Sequence, residues 1–123
     1  MTTLAVVVTP RAARQMRAAL EWWRENRLAA PELLDQELRG VLAVIAAAPT
    51  LGAPARDAQL VGVRRILLRR TRYHVYYRVD VAAGRLEILA LWHARRQPPW
   101  VWLPWNERFL GSFDPTERSQ GVG

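Results

Sequence analysis

The chain has 123 residues; its 18 basic residues, all arginine, outnumber 11 acidic ones for a formal net charge of +7, and cysteine is absent. That length suits one domain with a core of its own, and a composition half hydrophobic and 24% charged argues against disorder. Disulfides, thiolate metal sites, Schiff-base chemistry and a lysine general base are excluded by residue type alone.

An arginine excess suits a partner carrying phosphate or carboxylate, because the guanidinium fork matches both geometries. Uncompensated positive charge also repels itself until such a partner meets it. The absence of lysine, taken alone, is equally what compositional drift toward arginine produces. No apolar run approaches the roughly 20 residues needed to span a bilayer. The start, Met1-Thr2-Thr3-Leu4, lacks a basic segment leading into an apolar stretch. No signal peptide is expected, and the cytoplasm is the expected compartment.

Leu4 to Val8 is a short apolar, β-branched run and reads as a strand. Thr9 then offers a hydroxyl cap, and Pro10 suits the first helical position. From Pro10 to Arg27 the chain is free of glycine, and Ala13, Met16, Leu20 and Trp23 recur at three- and four-residue steps as one apolar stripe. Pro31 is expected in the first turn of a second helix, with Glu32 and Asp35 near its N-terminal dipole. Leu34, Leu38, Val41 or Leu42, and Ile45 form its stripe, and Pro49 stops it. Gly40 inside that helix is a position where a close helix–helix approach is conceivable. The short connection predicts an antiparallel helical hairpin.

Residues 49–62 read as a loop punctuated by Pro49, Gly52, Pro54 and Gly62. Three strands follow: Val63 to Arg70, Tyr73 to Asp80, and Arg85 to His93. In the second, Tyr73, Val75, Tyr77 and Val79 share one face and His74, Tyr76, Arg78 and Asp80 the other. Unbroken alternation in the third places Leu86, Ile88, Ala90 and Trp92 on one face and Glu87, Leu89, Leu91 and His93 on the other. Short turns make these strands an antiparallel meander. The expected fold class is α+β, a β-α-α-β-β-β order with the helical pair packed on one face of an antiparallel sheet. Two regions are distinguished: residues 1–97 as this domain, and residues 98–123 as a Trp/Pro-rich C-terminal extension holding Trp100, Trp102 and Trp105.

With these pieces in order, the chain resembles the RelE/ParE superfamily of toxins from bacterial type II toxin–antitoxin modules. The resemblance is carried by Val6-Val7-Val8-Thr9-Pro10-Arg11-Ala12, the helical hairpin, Val63-Arg64-Arg65-Ile66-Leu67-Leu68, Tyr73-His74-Val75-Tyr76-Tyr77-Arg78-Val79, and Ile88 through His93-Ala94-Arg95-Arg96. It spans residue 4 to about residue 97, and residues 98–123 fall outside its usual pattern. RelE-like members cut messenger RNA on the ribosome, whereas ParE-like members inhibit DNA gyrase by binding. A last core strand ending in His93-Ala94-Arg95-Arg96 is closer to the ParE side. What the resemblance implies is a ParE-like toxin acting on gyrase without cofactor or metal. It also implies neutralisation by a cognate antitoxin, which supplies most of the DNA contact.

Cleavage of RNA needs a general base, a general acid and cationic stabilisation of the phosphorane. Arginine supplies only the last, since it does not exchange protons in this pH range. The lysine-dependent RelE constellation is missing. A histidine-plus-glutamate variant of the superfamily would place its histidine at about His93, yet residues 49–62 and the second strand contain no glutamate. Glu87 is the nearest candidate in sequence; six strand residues put it about 20 Å from His93. An mRNA endonuclease with His93 as acid or base is therefore the alternative, and an inactive toxin-like binding module the second alternative.

The residues expected to meet an antitoxin or target are Arg64, Arg65, Arg69, Arg72, Tyr76, Arg78, His93, Arg95 and Arg96. Only Asp80 and Glu87 supply acid between residues 58 and 106, so this cluster is poorly compensated. Tyr76, opposite Tyr77, is the tyrosine expected to make contact. Trp22, off the helical stripe, is a flanking core residue or an interface anchor. Trp100, Trp102 and Trp105 are further interface candidates, or a cover for the chain's own sheet.

Overall fold

Thr9 ends one element and begins another. Its hydroxyl oxygen accepts the backbone N–H of Ala12 at 3.3 Å and donates its proton to the carbonyl of Ile88 at 2.8 Å. The cap thereby ties the first helix to the last strand. A computed structural model of the chain describes residues 3–55 and 61–95. Its elements run β1 (Ala5–Val8), α1 (Pro10–Asn26), α2 (Leu33–Ala47), β2 (Ala53–Pro54), β3 (Arg64–Leu67), β4 (Tyr73–Asp80) and β5 (Arg85–His93). The expectations for Arg96, Trp100, Trp102, Trp105 and the whole extension lie outside the described residues.

The α+β class and the helical hairpin hold. The sheet is mixed rather than wholly antiparallel: its order is β1-β5-β4-β3-β2, and β1 lies parallel to β5 with Val8 opposite Ile88. Two helices separate β1 from the meander, and that length of chain is what a parallel return requires. Within the presumed loop, Ala53 and Pro54 pair with Arg65 and Arg64 as a two-residue edge strand.

Helix α1 starts at Pro10, as its cap predicts. Helix α2 starts later than expected: Glu32 is its N-cap, and Pro31 precedes the cap instead of occupying the first turn. Ala12 and Trp23 from α1, Leu34, Leu38 and Ile45 from α2, and Leu68, Tyr73, Val75, Tyr77, Leu86, Ile88 and Leu91 from the sheet region form the main core. Full burial of each such large aliphatic side chain stabilises the fold by about 1.5–3 kcal/mol before entropy is counted. Gly40 is exposed, and a Cβ built on it meets nothing within 4 Å. The close helix approach envisaged at Gly40 is therefore absent.

The sheet's other face carries a second, smaller cluster of Ala55, Val63, Tyr76, Leu89 and Ala90, with Trp92 against it. Tyr76 is 1% exposed there, so it is a packing residue and not the accessible contact expected from strand alternation. No described helix is long and apolar enough to cross a membrane.

Candidate functional site

The alternation of β5 breaks in its middle. Tyr76 lies opposite Ala90, while the next residue, Tyr77, lies opposite Ile88. Leu89 is thus an extra residue on β5, and one extra residue exchanges the faces of everything beyond it. Leu86, Ile88 and Leu91 consequently share the helix-side core, whereas Leu89, Ala90 and Trp92 belong to the opposite cluster. His93 follows Leu91 to the helix side, where its ring meets Tyr73 edge-on at 5.1 Å between centroids. Glu87 stays on the opposite face, paired with Arg78 at 3.0 Å. The expectation that Glu87 and His93 share a face is corrected by this bulge.

Strand β1 stops at Val8, opposite Ile88, and beyond that point the outer edge of β5 faces α1. The Gln15 side-chain oxygen there accepts the Leu91 N–H at 2.9 Å. A groove of about 680 Å³ opens at this place. One wall is α1, with Gln15, Ala18, Ala19, Trp22, Trp23 and Arg27; the other is the β3–β4 turn and the end of β5.

Each wall has a local cause. Trp23 sits in the core stripe, and its Nε1 donates to the Ala30 carbonyl at 2.8 Å. Adjacent Trp22 falls a helical step away and remains 45% exposed. The Arg27 guanidinium lies over both rings, 4.9 Å from the Trp22 centroid and 5.5 Å from that of Trp23, a cation–π arrangement that fixes the helix end. Across the groove, residues 69–72 form the β3–β4 turn. Arg72 adopts a positive φ of 68°, its N–H donates to Leu68, and its carbonyl accepts the Ala94 N–H at 2.8 Å. The turn and the end of β5 are thereby joined. Among the described residues the groove presents Arg27, Arg70, Arg72 and Arg95 with Trp22, Trp23, Tyr73, Trp92 and His93, and no carboxylate lines it.

The expected site residues separate into groups. Arg72, His93, Arg95 and Trp22 come together in the groove. Arg69 is exposed on the same turn. Arg64 faces elsewhere and donates to the carbonyls of Thr50, at 3.3 Å, and Gly52, at 2.6 Å. Arg78 is held by Glu87, and Arg65 lies across from Tyr76 in the ladder. Arg70 belongs to the same run of middle-strand arginines as Arg69 and Arg72, whereas Arg27 was not singled out from sequence. Arg27 follows the Trp22-Trp23 pair by one helical turn, a spacing that predicts ring stacking.

Chemically, four guanidiniums suit a carboxylate or phosphate, and the exposed Trp22 ring offers an apolar face beside them. The His93 Nδ1 accepts the Arg95 N–H at 3.2 Å. An accepting Nδ1 carries no proton, so in the neutral ring Nε2 is the donor.

A family model described as the ParE toxin of the type II toxin–antitoxin system, parDE, matches residues 6–98. Two solved structures share the fold. The crystal structure of the toxin–antitoxin complex RelBE2 from Mycobacterium tuberculosis contains a chain 22% identical, with a TM-score of 0.54, covering 75% of this chain and 99% of that one. A chain of the chromosomal ParDE toxin–antitoxin system from P. aeruginosa is 20% identical, with a TM-score of 0.57, covering 76% and 98% respectively. No curated protein matches.

Proposed function

The chain belongs to the ParE toxin family of type II toxin–antitoxin systems, and from that premise we propose that it inhibits DNA gyrase by binding and is neutralised by a cognate antitoxin seated in the groove. Both structures reported above come from toxin–antitoxin systems, which supports an antitoxin as the partner. The observation that carries the reading is the groove lining: Arg27, Arg70, Arg72 and Arg95 beside the exposed face of Trp22. An antitoxin segment with acidic and apolar residues satisfies both features at once. Such a segment buries apolar area against the rings and desolvates carboxylates only where guanidiniums meet them.

Expression of the full chain alone, followed by separate assays of gyrase supercoiling and message integrity, tests this. Loss of supercoiling with intact message supports the proposal, and co-expression of the antitoxin restores growth. A second reading, an mRNA endonuclease, draws on the place of His93 among the groove arginines. It predicts ribosome-bound message cut by the chain and spared by His93→Ala. Harmless expression with both targets unaffected points to an inactive binding module and overturns both.

A further inference from the structure

One carboxylate stands directly behind the arginine turn. Glu37 projects from α2, and its Oε2 accepts the Arg70 N–H at 2.8 Å. Its Oε1 accepts both the Thr71 N–H at 3.0 Å and the Thr71 hydroxyl at 2.8 Å. Thr71 is 2% exposed, so its two bonds to Glu37 are partly buried, while its neighbours Arg70 and Arg72 are exposed and line the groove. Sequence distance gives no warning of it, since the partners are 33 and 34 residues apart.

The direction of the carboxylate is what matters. A glutamate among Arg69, Arg70 and Arg72 has every electrostatic reason to pair with a guanidinium. Here it is aimed at the backbone of the turn instead. Charge-assisted bonds of this kind are about twice as strong as neutral ones. They fix a turn that contains a residue at positive φ, Arg72, whose conformation costs about 1–2 kcal/mol outside glycine.

We infer that Glu37 is the positioning residue of the groove's arginine rim. It holds Arg70 and Arg72 toward an anionic partner by binding their turn. This rests on the reading of the groove as the docking surface. Its two consequences oppose each other in sign. Removing a negative charge from a basic surface by Glu37→Gln should, by Coulomb's law alone, tighten an acidic ligand. Loss of positioning should loosen it, because the glutamine amide would set a donor against the Arg70 N–H.

The probe is a fluorescein-labelled hexaglutamate peptide, titrated against the full chain at several salt concentrations, with amide exchange at Arg70 and Thr71 followed in parallel. Arg70→Ala and Arg72→Ala are each expected to weaken binding about two- to fivefold, the size of an exposed ion pair. Glu37→Gln is expected to weaken it by a similar factor despite the gained positive charge, with faster exchange at both amides. Thr71→Val, which leaves charge unchanged, should weaken binding in the same direction, and Thr71→Ser should restore it. Equal or tighter binding by Glu37→Gln, with both arginine variants weakened, overturns the positioning role and leaves the docking reading intact. Unchanged binding by both arginine variants overturns the docking reading itself. If Glu37→Gln fails to fold, the Thr71→Val and Thr71→Ser pair decides: weakening by the first without recovery by the second sinks the inference.

Discussion

The Tyr77 hydroxyl accepts the Gly52 N–H at 2.8 Å and donates to the Pro49 carbonyl at 2.7 Å, so one buried phenol ties the loop after α2 to the central strand. Gly52 is required for that approach. A Cβ at this position would lie 2.5 Å from the Tyr77 hydroxyl and 2.9 Å from the Arg65 carbonyl. Backbone on one side and a fully buried ring on the other leave no room to yield. Gly52→Ala is expected to destabilise the chain by about 2–3 kcal/mol, and Tyr77→Phe by about 1–2 kcal/mol through the orphaned Gly52 N–H. Chemical denaturation of both variants against the parent checks the order.

The same phenol predicts an alkaline limb of stability. Burial pushes the Tyr77 pKa above its ordinary value of 10.0, against smaller opposing effects of the Gly52 hydrogen bond and the Arg64 charge. Near pH 10 the unfolded phenol loses its proton while the folded one keeps it. The unfolded state then binds fewer protons, and stability falls as pH rises from 10 toward the folded value. Below pH 10 the contribution is constant. Denaturation midpoints from pH 8 to 11 should fall more steeply for the parent than for Tyr77→Phe; parallel curves would count against this account.

Local chemistry was legible in the sequence and non-local register was not. Thr9-Pro10 marks the start of α1 because a cap is a contact over three residues. The stripe of Leu34, Leu38 and Ile45 predicts the buried face of α2 because periodicity is internal to the helix. The bulge at Leu89 leaves no such trace. Ile88 through Trp92 is wholly apolar, so there is no alternation whose break could be seen. From that one residue follow the wrong faces for Ala90, Leu91, Trp92 and His93. Tyr76 was misplaced for a related reason: Ala55 and Val63, which cover it, flank a stretch that reads as a polar-side loop. The groove itself is assembled from α1, the β3–β4 turn and the end of β5, and charge counting along the strands found the part contributed by Arg70, Arg72 and Arg95 but not Arg27 on the helical wall.

Gly40 offers a stabilising substitution. It sits in the interior of α2 with open space where a Cβ would be. Alanine there reduces the entropy lost on folding and meets no atom. Gly40→Ala is expected to raise stability by about 0.5–1 kcal/mol, with hexaglutamate binding unchanged. A thermal melt showing no gain would mean that the helix is held by its packing alone.

The adjacent tryptophans of α1 should behave differently. Trp23 is 7% exposed, packs in the core and bonds Ala30, so Trp23→Ala is expected to cost about 3–5 kcal/mol. Trp22 is exposed over the groove under Arg27. Trp22→Ala should cost no more than about 1 kcal/mol of stability, the size of an exposed cation–π contact. Its effect should fall instead on the antitoxin, whose complex with the full chain is expected to weaken by tenfold or more, as an anchor ring at an interface does. Calorimetry of folding and of complex formation separates the two; equal losses of stability would deny Trp22 its place as an anchor.

Arg72 places stability and binding in opposition. Its φ of 68° is a conformation that glycine adopts without steric cost and arginine does not. Its backbone bonds to Leu68 and Ala94 need no side chain, so Arg72→Gly keeps them while relieving the strain. The unfolded glycine chain has more freedom to lose, which offsets part of that gain. The net expectation is a chain more stable by about 0.5–1 kcal/mol that binds its acidic partner less well, because one of the four groove guanidiniums is gone. Arg72→Ala separates the two causes: it removes the same guanidinium but keeps a Cβ in the strained conformation, so it should lose binding to the same degree and gain no stability. If Arg72→Gly is no more stable than Arg72→Ala, the turn has relaxed around its arginine, and the strain attributed to this position is absent.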